Sequence, residues 1–227
     1  MGATNLPREA DVRPAAEDPT AGRTAAGWTP ADPGPLGLTA FATTTFILSM
    51  INTGLVGGGV ATSTGVVAGM ALAFGGIAQF SAGLWEFRTG NTFGATAFCS
   101  FGAFWISFYL LLHIGVSAIP KSEVGSSVGL YLWAWGIFTA YMFIASLRTT
   151  GAIALVLLLL AITFIVLGIG YSALAGTTNT TNGTIKLGGW IGLVTAAAAW
   201  YASFAGVTNA TWGRTILPVF PLNRPRV

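Results

Sequence analysis

Between Leu36 and Gly213 the chain carries six formal charges, Glu86, Arg88, Lys121, Glu123, Arg148 and Lys186, all at the seams between long apolar runs. Phe93–Leu112 and Gly151–Leu174 hold none at all. A helix of about 20 mainly apolar residues spans the roughly 30 Å hydrocarbon core of a bilayer. Lipid offers the backbone no hydrogen-bond partner, so such spans are helical. An all-α integral membrane protein follows, with the lipid bilayer as its solvent. The balance of 53% hydrophobic to 7% charged residues and the mean hydropathy of +0.72 exclude a water-soluble fold. The net charge of +3 is scattered over termini and loops, which makes no case for nucleic acid. The single Cys99 lies in an apolar run and rules out a disulfide within the chain.

Residues 1–34 are rich in Pro, Ala, Gly and charged side chains, the composition of a disordered tail, with no apolar core of a signal peptide. Residues 35–213 read as one transmembrane domain and 214–227 as a C-terminal tail. Six spans are predicted, at Pro35–Leu55, Thr64–Phe87, Thr92–Ile119, Ser126–Leu147, Gly151–Leu174 and Leu187–Thr211. The glycine run 57–59 follows the first, and 175–184 is the one sizeable loop. Arg8, Arg13, Arg23, Arg88, Arg148, Arg214, Arg224 and Arg226 then share the face of the two termini, against Lys121 and Lys186 on the other. Basic residues mark the cytoplasmic side, so both termini are expected there. The 31 glycines sit inside the apolar runs, where they let helices approach closely. Gly65/Gly69, Gly125/Gly129 and Gly188/Gly192 each put two on one helix face. Trp133, Trp135, Trp190, Trp200 and Trp212 suit an interfacial aromatic belt.

An enzyme is not indicated. Metal sites and nucleophilic triads need clustered His, Cys, Asp or Glu, and the spans hold one His, one Cys and, near an end, one Glu. No cofactor or metal is called for. His113 reads as an interfacial histidine or an external pH sensor. Glu86 and Arg88 read as the inner cap of the second helix, meeting each other or lipid headgroups. Phe41, Thr45, Leu48 and Asn52 recur at helical spacing and share one face of the first helix. Asn52 and Gln79 are amides that hydrocarbon does not tolerate unpaired. Lining a pore and bonding a neighbouring helix are both open to them.

Several strings carry a resemblance. Asp32-Pro33-Gly34-Pro35-Leu36-Gly37-Leu38 resembles the Asn-Pro-Ala-Pro-Leu-Gly-Leu signature of the acetate uptake transporter family, the succinate–acetate permeases. Gly75-Gly76-Ile77-Ala78-Gln79, Gly90-Asn91-Thr92-Phe93-Gly94, Gly189-Trp190-Ile191-Gly192-Leu193 and Gly213-Arg214-Thr215-Ile216-Leu217-Pro218 are similar to further family strings, in order from Asp32 to Pro218. The resemblance implies six transmembrane helices around a pore in each protomer, a homo-hexameric ring in the plasma membrane, and passage of acetate and related small carboxylates, succinate among them, by a channel or a proton-linked permease. It implies a pore pinched by Phe41, Phe101 and Leu160, with Thr44, Thr45, Asn52, Gln79 and Ala199 along the path. Asp32 departs from the family's Asn. The cap of the first helix accounts for it, since Asp is as good an N-cap and suits the positive helix end. Pro35 fits the first turn, where its missing N–H costs nothing. A channel for urea or small amides and a non-conducting sensor of acetate remain open beside the carboxylate reading.

Overall fold

The structure is a computed structural model describing residues 28, 30–56, 60–177 and 179–222, and the side chains of these apart from 60–64. Most of the expected N-terminal tail, the glycine run 57–59 and the last residues 223–227 lie outside the described residues. Among the described residues, six helices are long and apolar enough to cross a membrane. α1 is Gly34–Thr53. α2 runs as Val60–Leu72, a π-helical stretch Ala73–Ala78, and Gln79–Thr89. α3 is Thr92–Leu110, prolonged by a π turn at Leu111–Gly115; α4 is Val124–Ser146, α5 Gly151–Ser172 and α6 Gly183–Trp212. Among the described residues the only bridge of β type joins Thr150 to Pro221.

The helix ends follow from short polar signals. Asn91 opens α3 by accepting from Gly94 N at 3.0 Å. Thr150 opens α5 through Ile153 N. α6 begins at Gly183 rather than near Leu187, because Asn182 accepts from Ile185 N at 2.9 Å and donates to Gly170 O at 2.7 Å. That pairing draws part of the expected loop into the bundle. Gly90 takes φ 79°, which reverses the chain between α2 and α3 and lets Asn91 N reach Glu86 O at 3.0 Å.

Close approach of backbones holds the bundle together. A Cβ on Gly102 of α3 would fall 2.7 Å from Phe80 N of α2, and one on Gly189 of α6 would fall 2.6 Å from Thr53 N of α1. The pairs Gly125/Gly129 and Gly188/Gly192 also face neighbouring helices, whereas Gly65 and Gly69 meet nothing within 4 Å in the protomer. α1 and α6 run side by side: Ser203 donates to Pro35 O at 2.7 Å, so the start of α1 and the end of α6 lie at one end of the bundle. The segment after α6 returns to α5, where Gly151 N donates to Phe220 O at 2.7 Å and Leu222 N to Thr149 O at 2.9 Å.

α3 and α4, adjacent in sequence, stand apart, and aromatic side chains fill the gap. Phe101 meets Phe138 at 5.3 Å between ring centroids, and Phe104 meets Trp135 at 5.2 Å and Tyr131 at 5.6 Å. The Tyr131 hydroxyl donates to Phe104 O at 3.0 Å. Trp135 is therefore no member of an interfacial belt: it is a mid-helix wedge. Trp200 likewise lies mid-helix, its indole donating to Thr43 Oγ1 at 3.1 Å. Trp190 and Trp212 do face outward.

Gly102→Leu is expected to force α2 and α3 apart. Overpacking of this kind costs about 1–3 kcal/mol, and a lower melting temperature of the purified protein in detergent, with no such drop for Ile137→Leu on the exposed face, is the measurement.

Candidate functional site

A cavity of about 310 Å³ opens at the end of the bundle where α1, α3 and α5 begin. α1 lines it from Gly34 to Phe41, α3 from Phe93 to Phe101, α5 from Thr150 to Leu160, and α2 from Glu86 back to Gln79. α4 contributes nothing to its wall. The rim is polar, with Asp32, Glu86, Asn91, Thr149 and Thr150. The wall then turns apolar, and the lining ends at the level of Phe41, Gln79, Phe101 and Leu160.

Those deep residues converge. The Phe41 and Phe101 ring centroids are 5.8 Å apart, and Phe101 is braced from behind by Phe138 and by Trp135 at 6.2 Å. Phe41, Phe101 and Leu160 are all buried. The braces on α4 were not legible in the sequence. Their signal is a run of rings spaced along one helix face, which any packed helix also shows.

Beyond this level the side chains divide. Thr45 sits one turn past Phe41 and Trp105 one turn past Phe101; with Gln79 they are the buried residues whose polar atoms, Thr45 Oγ1, Trp105 Nε1 and Gln79 Oε1, have no partner among the described residues. Buried polar atoms are normally paired, so this concentration marks the middle of the bundle as unusual. Trp105 was not singled out in the sequence because its indole is inconspicuous in an aromatic run. The other residues on the path are satisfied. Thr44 donates to Ala40 O at 2.9 Å and reaches Met70 O at 3.5 Å. Asn52 accepts from the Tyr171 hydroxyl at 3.2 Å, a bond between α1 and α5. Thr163 and Thr195 pair at 3.2 Å between α5 and α6. Ala199 is fully buried on α6 and lies off the cavity wall.

The rim is set by three helix beginnings. The N-cap position of α1 is Pro33, which offers no side-chain cap, and Asp32 stands one residue ahead of it, its Oδ1 accepting from Gly34 N at 2.9 Å, with Pro35 in the first turn. Pro33 and Gly37 are buried, Gly37 against the Phe98 ring, while Leu36 is exposed and Leu38 lines the cavity. The N-terminal ends of α1, α3 and α5 bring the positive ends of their dipoles to the mouth. Glu86 differs from its expected place. Only 3% exposed, it is not paired with Arg88 but accepts on Oε2 from Asn91 Nδ2 at 2.9 Å and Thr89 Oγ1 at 3.1 Å. His113 stands exposed on the π turn of α3, stacked on Tyr109 at 4.3 Å. Among the described residues no three His, Cys, Asp or Glu side chains gather as a metal site would need.

Among the described residues, six helices able to cross a membrane, five of them lining one polar-mouthed cavity, define a multi-pass membrane protein with an internal recess. Known proteins give that class a lineage. Residues 19–224 match the profile of the GPR1/FUN34/yaaH family, and the chain belongs to this family. It is 41% identical over 198 residues to acetate permease A of Emericella nidulans, covering 83% of this chain and 65% of the relative. It is 38% identical over 192 residues to the succinate-acetate/proton symporter SatP of Escherichia coli, covering 83% of this chain and 95% of that one. The chain spans about two thirds of the Emericella relative and nearly all of the bacterial one. The solved structure of the bacterial acetate channel SatP superposes with a TM-score of 0.74 at 36% identity, over 84% of this chain and 99% of that chain.

Proposed function

We propose that the chain carries acetate and related small carboxylates, succinate among them, across the plasma membrane through the cavity and past Phe41, Phe101 and Leu160. The observation that carries this reading is the coincidence of the cavity's closed end with three bulky apolar side chains from three helices, and of unpartnered polar atoms just beyond them. An apolar pinch stays dry and resists hydrated ions. Acetate presents a methyl group to such a wall, while its carboxylate is handed between polar groups on either side. Thr45 and Gln79 are the nearest of these, with Thr44 and Asn52 farther along α1, and Ala199 leaves room beside the path. The positive helix ends at the mouth favour an entering anion.

Both termini and the cavity mouth face the cytoplasm in this reading, and copies of the chain close into a hexameric ring, each protomer with its own route. The printed names of the relatives support the solute, and the distribution of arginine supports the orientation.

Three measurements test the reading. In a Cys99→Ser background, Thr181→Cys should react with an impermeant thiol reagent from outside, and Asn223→Cys only after the membrane is opened; the reverse pattern refutes the orientation. Native mass spectrometry of the 23.4 kDa chain in mild detergent should give a closed ring of six, and a monodisperse active monomer overturns the ring. Proteoliposomes should take up labelled acetate in preference to labelled urea. There, Leu160→Ala should widen the pinch and raise succinate uptake relative to acetate, while Ala199→Phe slows both. An unchanged acetate-to-succinate ratio in folded, assembled Leu160→Ala removes the pinch assignment, and faster urea than acetate would make the chain an amide channel.

A further inference from the structure

The two helices that bring Phe41 and Leu160 to the pinch meet a second time. Phe41, Thr45, Leu48 and Asn52 follow one face of α1, and Leu160, Phe164, Leu167 and Tyr171 recur at the same spacing on α5. Both helices begin at the cavity mouth. Asn52 and Tyr171 therefore each stand eleven residues, about 16 Å of helix, beyond their own pinch residue. There the Tyr171 hydroxyl donates to Asn52 Oδ1 at 3.2 Å.

This bond crosses a gap. α1 and α5 each pack along α6, and no extended backbone packing joins them to each other. Where helices of this bundle do touch, glycines or short hydroxyl contacts do the joining, as at Gly189 against Thr53 and Thr163 against Thr195. Between α1 and α5 a long phenol reaches instead to an amide that is only 3% exposed. Ahead of the bond, Leu48 and Leu167 pack with the apolar core. Past it, two residues beyond Asn52, the Lys186 side chain lies 3.4 Å from a Cβ built on Gly54 and sets a positive charge at that end of α1. A polar bond thus stands between an apolar stretch and a cation, on the faces that carry the pinch.

We propose that the Asn52–Tyr171 bond is a second barrier on the path, a polar latch that a carboxylate opens by taking the place of Asn52 as acceptor. The phenol has one proton to donate, and either Asn52 or the solute receives it. A carboxylate oxygen accepts in a charge-assisted bond, about twice as strong as a neutral one, so the anion wins the exchange. A neutral amide competes only on equal terms. The latch then selects by charge where the pinch selects by size. The exchange clause rests on the carboxylate-transport reading, whereas closure of the path by the bond does not.

Two readouts separate the possibilities. The first needs no solute: in the Cys99→Ser background, Leu48→Cys places a thiol between the two barriers, and an impermeant thiol reagent is added on the side of Thr181. Breaking the bond by Tyr171→Phe, which keeps the ring and its packing, or by Asn52→Ala should speed modification of that thiol by up to about tenfold, the worth of one buried hydrogen bond. Rates are taken relative to Thr181→Cys in the same backgrounds. The second readout is uptake of labelled acetate and labelled urea by proteoliposomes holding the full-length chain, with protein-free vesicles subtracted. Tyr171→Phe should raise the urea-to-acetate ratio severalfold. A Leu48→Cys thiol that reacts no faster in either variant overturns the latch. A thiol that becomes reactive while the urea-to-acetate ratio stays at the wild-type value overturns the exchange. Wild-type acetate uptake no greater than that of bare vesicles overturns the transport reading instead, and the thiol readout alone then decides the latch.

Discussion

Inside a bilayer no solvent pairs a stray polar group, and most of this structure is the working out of that constraint. The hydroxyls of Thr44, Thr139, Thr163 and Thr195 turn back to carbonyls of their own helices. Asn52 meets Tyr171 and Trp200 meets Thr43, each binding two helices together. Against that background the unpartnered atoms of Thr45, Gln79 and Trp105 stand out. They lie on α1, α2 and α3, at one depth in the bundle rather than scattered through it.

The same constraint removes the hydrophobic effect as a force between helices, so contact area and shape must do its work. Glycines at Gly102 and Gly189 bring backbones to within a Cβ of each other. Between α3 and α4 the opposite solution is used, a wedge of rings whose pairwise contacts are worth about 0.5–1.5 kcal/mol beyond their buried area. The wedge has a consequence for the site. Phe101 is gripped from behind by Trp135 and Phe138, so its ring is held against Phe41. The π stretch Ala73–Ala78 plays a comparable part on α2, changing the register just ahead of Gln79 and seating Gly75 against Thr44 and Trp105.

Rim and pinch divide the chemistry of the proposed path. The rim is where charge can be felt, through helix ends and two carboxylates close to water. The proposed pinch is apolar, a surface that discriminates by size and dryness. On the proposed path, changes at Leu160 act on which solute passes. Six residues of α1 lie between Gly34 at the rim and Phe41 at the pinch.

The sequence by itself determined the class of protein. Six apolar runs broken by charges at their seams leave lipid-spanning helices as the fold, and that needs no knowledge of packing. The face shared by Phe41, Thr45 and Asn52 was equally legible, since helical spacing is a one-dimensional property. Tertiary structure alone decided which of these residues meet. Asn52 found a tyrosine of α5 while Gln79 found none, although as buried amides the two looked alike in the sequence. Glu86 read as a surface cap beside Arg88, yet the reversal at Gly90 turns it inward onto Asn91 and toward Asp32. Trp135 read as a belt residue because a ring carries no mark of what will stand opposite it. Partners far apart along the chain are chosen by the three-dimensional crossing of helices, and composition and period hold no information about that crossing.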